Sequence, residues 1–417
     1  MTKQFPFPQT RTNRLLFGIF LLALIYLSRD SAPCATFLGF YASQFLLLGI
    51  LVLLAAAFLA ANRGTLREVF LDSRMMILAV LTLVFLLPML AKRDWQLMYF
   101  SVLLPAALGI CLTYFVSCRR TAKYYVLIIT GLAAYSLVAF LVLRPLTEAG
   151  LLHPRVVYNT IDLEFLDFGL AFPTMYIYTK GRNYGLFREP GVYQFFLLLG
   201  LYLNNYRVDW ERKWPVWVVN AVLAVTMMST LATGGVIEMA LLLVLLFLDK
   251  KWYRQKIGRI ALAAGLLLGV AGFAVLTITK PPLYWSLYLM VAKLFTGEQS
   301  LTDRVGSLAV NLSFFLQNPL FGGRIADILF AIDNNTSSTT VMYAIFGILG
   351  GTVHVAGWCA LVWDKERFVL WNLGLLTVLL MSFNTQNLIT NPYLWIFPMM
   401  ALTERLLPMV DSRRKRA

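Results

Sequence analysis

Apolar runs of about 20 residues, punctuated by short basic clusters, constrain this chain more than any other feature. A run of that length spans a bilayer as a helix rising 1.5 Å per residue. Twelve such runs can be read, centred on residues 15–28, 45–61, 75–90, 97–117, 125–143, 192–206, 215–230, 233–248, 260–279, 340–363, 369–385 and 393–408. Within lipid every backbone amide must be paired inside the protein, which leaves helical bundles and closed barrels, and unbroken runs select helices. Composition agrees: 14% of the 417 residues are charged and 59% are hydrophobic, against about 25% charged in a soluble domain. The expected fold is an all-α polytopic membrane protein of about twelve transmembrane helices, with residues 1–417 forming one integral membrane domain.

Basic residues set the orientation. With the N-terminus inside, most of the 36 Lys and Arg residues fall on cytoplasmic segments, as in Lys250-Lys251-x-x-Arg254 and Arg413-Arg414-Lys415-Arg416, which is the positive-inside bias. Both termini are then cytoplasmic. The net charge of +15 orients helices and meets anionic lipid, so nucleic acid is not an expected partner. The first run, preceded by basic residues and followed by Ser31 and Ala32, has some features of a signal peptide and is read as uncleaved. Cys34, Cys111, Cys118 and Cys359 are too scattered for a disulfide framework or a CxxC-type metal site, and no metal or other cofactor is expected.

Two outside loops are long, residues 144–191 and 280–339, and long connections are where function concentrates. The first ends in Arg182-Asn183-Tyr184-Gly185-Leu186-Phe187-Arg188-Glu189-Pro190-Gly191, directly before an apolar run. Pro190 suits a first helical turn, and Glu189 there is favoured by the helix dipole. Arg182 and Arg188 offer bidentate donors for phosphate, the alternatives being headgroup contact or an Arg188–Glu189 pair. In the second loop Ser300-Leu301-Thr302-Asp303 resembles a capping box. Beyond it Val305, Leu308, Leu312 and Phe315 share one face, while Arg304, Ser307, Asn311 and Asn318 form a polar seam opposite. Arg304 faces either a bound anion or an ion pair with Asp303 or Asp327. Asn318-Pro319-Leu320-Phe321-Gly322-Gly323-Arg324 ends that helix in a turn, and the aromatic stretch 281–288 suits the headgroup level. Glu238, inside the eighth run, must face the bundle, be paired or be protonated. His354 reads as a satisfied core imidazole, and His153 as a lone outside histidine that makes no metal site.

In helix plan and enlarged loops the chain resembles the Wzy-type O-antigen polymerases and the related O-antigen ligases, a superfamily of GT-C-like membrane glycosyltransferases. The likeness also rests on Arg182-x-x-Gly185-x-Phe187-x-Glu189-Pro190-Gly191, on Arg304 followed by Asn318-Pro319-Leu320-Phe321-Gly322, and on Asn335-Thr336 leading to Phe346-Gly347-Ile348-Leu349-Gly350. It implies transfer of a glycan from undecaprenyl diphosphate at the periplasmic face of the bacterial inner membrane, with Arg182 and Arg304 holding the diphosphate. The long loops would then be periplasmic and contain short helices. A chain-length regulator and a flippase are possible partners that the resemblance brings. Ligases of the group carry a His-Asn pair where this chain has Asp333-Asn334-Asn335-Thr336, which leans toward polymerase.

The chemistry asks for cations where charge develops on the leaving diphosphate and for a base at the attacking hydroxyl. Arg182 and Arg304 are the expected catalytic cations, with Arg188, Arg324, Tyr184, Asn335 and His153 as substrate-binding candidates. Glu189 is the expected base, ahead of His153 and Asp303. The competing functions are ligation to lipid A core and transport of the lipid-linked glycan. Against transport, no internal repeat is visible and Glu238 is almost alone in depth.

Overall fold

The protein is described by a computed structural model over residues 11–39, 44–52, 72–159, 162–174, 181–256, 299–332 and 335–414, together with residues 259, 263 and 267. It is mostly helical. In chain order the helices are α1 (Arg11–Tyr26), α2 (Ser73–Lys92), α3 (Met98–Leu112), α4 (Cys118–Val138), α5 (Arg144–Glu148), α6 (Pro190–Tyr206), α7 (Trp214–Ser229), α8 (Thr233–Asp249), α9 (Gln299–Gln317), α10 (Ile325–Ala331), α11 (Ser338–Val362), α12 (Val369–Phe383) and α13 (Pro392–Arg414). Residues 44–52 are helical as well. The apolar runs coincide with these helices, except that most of the run at 260–279 and the second half of that at 45–61 lie outside the described residues. Among the described residues three helices are long and apolar enough to cross a membrane: Ser73–Lys92, Cys118–Glu148 and Ser338–Val362. Thr12–Tyr26, Met98–Leu112, Trp214–Ser229 and Val369–Phe383 are apolar but shorter.

Two helices form the centre. α6 is buried from Val192 to Asn204, packed against α4, α7, α8 and α12, and α13 is buried over its first half against α3 and α11. Aromatic rings fill the space between them, with Tyr125 lying 4.9 Å from Tyr393 and edge-on to Phe397. Their polar tips are answered, as burial requires. The Tyr125 hydroxyl donates to Phe196 O (3.0 Å), Tyr393 to Leu21 O (2.6 Å) and Trp395 Nε1 to Ile389 O (2.6 Å). Outward positions are apolar instead, Val80, Leu83, Leu127 and Val225 among them. His354 is buried between Trp395 and Phe383 as expected, but neither ring nitrogen has a hydrogen-bond partner among the described residues. It is a core imidazole without the satisfaction the sequence reading supposed.

The long loops depart from expectation in kind. α4 continues through a π-turn (Ala139–Leu143) into α5, so the first loop begins only after Glu148. Within 144–191 the expected short helix is α5, and beyond it lies an antiparallel hairpin that was not expected, β1 (Arg155–Tyr158) and β2 (Glu164–Asp167), pairing Val157 with Phe165. The physical reason is local: β-branched and aromatic residues (Val156, Val157, Tyr158, Phe165) fill the strands, with Arg155, Glu164 and Asp167 at their ends, which suits a half-buried strand pair. Phe165 packs edge-on against Tyr184 and so ties the hairpin to the segment before α6. The second loop does hold helices, α9 and α10, while the stretch 281–288 and Asp333 lie outside the described residues.

Candidate functional site

The segment preceding α6 is held by its own polar side chains. Asn183, which the sequence did not single out, is buried and fully engaged: its Nδ2 donates to Ser136 Oγ (3.1 Å) and Ser229 Oγ (3.0 Å), and its Oδ1 accepts from Gly185 N–H (2.9 Å). That clamp fixes residues 182–185 against α4 and α7. Tyr184, expected to bind substrate, is 3% exposed and packs on Phe165, so its ring builds the loop.

The clamp sets the arginines apart in character. Arg188 Nη2 lies 3.3 Å from Asp30, which is 1% exposed, and its Nη1 lies 3.5 Å from Glu189. Asp30 also accepts from Asn391 Nδ2 (2.9 Å), so Arg188 closes a buried network joining the start of the chain to α13. Burial alone lowers the Arg188 pKa, but the Asp30 and Glu189 carboxylates outweigh it and raise the value. Those carboxylates engage its two Nη groups, while its Nε has no hydrogen-bond partner among the described residues. Arg182 differs. Nε donates to Thr230 O (3.1 Å), and no hydrogen bond reaches its two Nη groups among the described residues. Burial lowers its pKa, with Tyr184 and Glu189 acting in the opposite sense, and a guanidinium stays protonated regardless. Glu189 occupies the N-cap position of α6, yet its side chain makes no cap hydrogen bond and turns to Arg188.

A second group of residues meets at the start of α8, just after the carbonyl that Arg182 grips. Glu238 is 1% exposed, and both of its carboxylate oxygens lack a hydrogen-bond partner among the described residues. Gln194, from α6, donates through Nε2 to Thr385 Oγ1 (3.2 Å) while its Oε1 is likewise unanswered. Both side chains border Gly234. The cation acting on Glu238 is Arg304, which belongs to α9. No ion pair joins Arg304 to Asp327, and the Asp303 side chain lies outside the described residues. Arg182 thus reaches the turn leading into α8 by a hydrogen bond, whereas Arg304 makes neither an ion pair nor a hydrogen bond with Glu238 and acts on it only by its charge, five residues or about 7.5 Å of helix rise past Thr233.

The middle of the polar seam on α9 faces inward while Asn318 at its end is exposed, and most of the apolar face is exposed, Phe315 excepted, which packs edge-on against Tyr343. Ser307 and Asn311 are fully buried, whereas Val305, Leu308 and Leu312 are about half exposed or more. Asn311 and Asn335 exchange a reciprocal amide pair (3.1 and 2.7 Å), Asn311 Nδ2 also reaches Thr340 Oγ1 (2.8 Å), and Thr336 N–H donates to Ser307 Oγ (3.1 Å). Asn335 thus docks α9 onto the start of α11, through one of its two amide donors and its carbonyl oxygen.

The remaining two patterns are physically joined. α11 breaks at Gly347, whose φ of 64° and ψ of −163° are open to glycine almost alone. The turn after α9 seats in that break. Ile348 N–H donates to Pro319 O (2.8 Å), Gly323 N–H to Ala344 O (2.7 Å), and Lys92 Nζ to Gly323 O (2.7 Å) and Ile345 O (2.5 Å). A Cβ on Gly322 would strike the Ala344 carbonyl and one on Gly347 that of Leu320, so backbones meet where side chains cannot fit. Asp94, unremarked in the sequence, accepts from Ile325 N–H (2.8 Å) and Tyr99 OH (3.0 Å) and so holds the start of α10. Arg324, at the N-cap of α10, is exposed without an ion pair among the described residues. His153 is exposed beside β1, and no interaction among the described residues joins it to the arginines. Nor do three His, Cys, Asp or Glu side chains gather to hold a metal among the described residues.

Compared with known proteins, the chain matches no protein-family model, no curated protein and no solved structure.

Proposed function

We propose that the protein is a polytopic, GT-C-like glycosyltransferase of about twelve spans that joins undecaprenyl-diphosphate-linked repeat units at the periplasmic face of the bacterial inner membrane. The supporting observation is Arg182, held at the turn into α8 by one hydrogen bond with both Nη groups open, while the charge of Arg304, from a loop more than a hundred residues away, acts on Glu238 of the same helix without contact. In this proposal Arg182, with both Nη groups open, and Arg304 bind the diphosphate and stabilise the charge that grows as the sugar–phosphate bond breaks. Arg324, exposed on the neighbouring turn, adds a further cation. Glu189, beside Arg182, accepts the proton of the attacking hydroxyl from the non-reducing end of a second lipid-linked unit. Arg188 serves by fixing Glu189 and the loop.

The test is incubation of the purified protein in bilayer discs with an undecaprenyl-diphosphate repeat unit, resolving lipid-linked products by length. A ladder identifies a polymerase, and en bloc transfer of preformed chains to lipid A core identifies a ligase. Arg182→Ala and Arg304→Ala should each lower the rate about 10²- to 10³-fold, the usual cost of removing one preorganised donor. Parental rates in both variants would reduce the arginines to anchors and end the proposal.

A further inference from the structure

A second charged site lies at the opposite end of the bundle. The starts of α6 and α11 and the end of α2 stand by the loops just described, so the start of α2, the start of α4 and the ends of α6, α11 and α13 gather at the other end. There a cavity of about 610 Å³ is lined by Arg74, Arg119, Arg207 and Arg405 together with Glu404 and Asp411. That volume falls within the roughly 300 to 1,000 Å³ of small-molecule sites.

Both carboxylates are already engaged. Glu404 accepts from Cys118 N–H (2.7 Å) and Asp411 from Ser73 Oγ (2.6 Å), while the charges of Arg207, Arg119 and Arg74 all act on Glu404. Arg207 and Arg405 donate to the carbonyls of Leu361 and Trp363 at the end of α11, which accounts for one edge of each guanidinium. Helix capping explains those two residues in part, and an exposed ion pair with Asp209 (2.9 Å) engages one Nη of Arg119, but neither reaches Arg74. That side chain is 1% exposed, lies flat on the Tyr114 ring (4.5 Å) and sits 3.7 Å from Asp72, yet its Nε has no hydrogen-bond partner among the described residues. A buried guanidinium N–H left open beside a cavity with excess positive charge calls for an acceptor from outside the chain.

We propose that this cavity binds a phosphate-bearing anion, gripped by Arg74, Arg119, Arg207 and Arg405. Phosphate takes bidentate donors from guanidinium edges and tolerates several cations at once, a fit that a single carboxylate does not offer. Such a group comes either from an anionic phospholipid headgroup or from soluble phosphate.

Native mass spectrometry of the delipidated full-length protein in micelles, titrated with phosphatidylglycerol, phosphatidylcholine or inorganic phosphate, separates these sources. Arg119 and Arg405 are exposed, so Arg119→Gln with Arg405→Gln removes two donors without emptying the core. Arg120→Gln, exposed on the same end but off the cavity, controls for diffuse attraction. Preference for phosphatidylglycerol over phosphatidylcholine, weakened about ten-fold or more in the double variant and unchanged in Arg120→Gln, supports a lipid phosphate. Binding of inorganic phosphate with the same variant pattern, and no lipid preference, supports a soluble one. Absence of binding by either probe, or equal weakening by Arg120→Gln, overturns the proposal. Unchanged unliganded melting and a single elution peak show that each variant is folded.

Discussion

Gly347→Ala tests whether the seating of the post-α9 turn in the break of α11 holds the outer end together. The substituted residue would occupy φ 64° and ψ −163°, a region costing a non-glycine residue about 1 to 3 kcal/mol. Its Cβ would also meet the Leu320 carbonyl, with Phe321 N 2.7 Å away, so the turn must back off. Backing off strains the Ile348 N–H to Pro319 O and Gly323 N–H to Ala344 O bonds, each worth about 1 kcal/mol net. Together these give about 3 to 5 kcal/mol. Gly131→Ala is the matched control, because Gly131 lies within α4 and its Cβ would meet nothing within 4 Å. There alanine should stabilise by about 0.5 to 1 kcal/mol. Thermal unfolding of both variants in one detergent should therefore move in opposite directions. A Gly347→Ala midpoint at or above that of Gly131→Ala would refute the backbone-to-backbone account.

Three further outcomes follow from the same contacts. Asn311→Leu strands the Asn335 amide and Thr340, so it should cost about 1 to 3 kcal/mol in thermal unfolding, with Asn311→Gln losing less if the longer amide still reaches. Glu238→Gln removes a buried, unpartnered carboxylate beside the open Gln194 Oε1, and should raise the unfolding midpoint. Glycan transfer by that variant measures whether stability was being forgone for function, and a lowered midpoint would show that Glu238 has a partner after all. A spin label at Leu308→Cys, on the exposed apolar face of α9, should be relaxed more by oxygen than by a water-soluble nickel chelate in bilayer discs. The reverse order would place that face in water.

The fold was legible wherever one physical constraint dominated. Apolar runs became helices because lipid and backbone pairing leave few options, as in α6, where the run at 192–206 and the helix Pro190–Tyr206 nearly coincide. The hairpin at 155–167 was not legible because each strand is four residues long, Arg-Val-Val-Tyr and Glu-Phe-Leu-Asp, with no period-two pattern to announce it. For the site, residue types were readable but commitments were not. Arg182 and Arg188 look alike in sequence apart from the neighbouring Glu189, and the buried Asp30, about 150 residues upstream, gives Arg188 a second carboxylate partner that no spacing announces. Tyr184 and Asn335 stood in the right segments yet turned out to build them. Asn183 and Asp94 carried no local signal at all, since their partners Ser136, Ser229 and Ile325 are remote in sequence.

The inversion of α9 connects these cases. A helix in water gains by hiding its apolar stripe, whereas α9 hides Ser307 and Asn311 and turns Val305, Leu308 and Leu312 outward. Such an arrangement lowers the free energy only where the surroundings are apolar and each buried polar group finds a partner, and the Asn311–Asn335 pair meets the second condition. Arg304 lies on that same side, one turn before Ser307, where its charge acts on Glu238 without pairing with it. In this fold the polarity of the surroundings, more than any motif, decides which way the cation faces. Reversing the stripe, with Ser at 308 and 312 and Leu at 307 and 311, should therefore uncouple Arg304 from α8 even though every residue of the three sequence patterns remains in place.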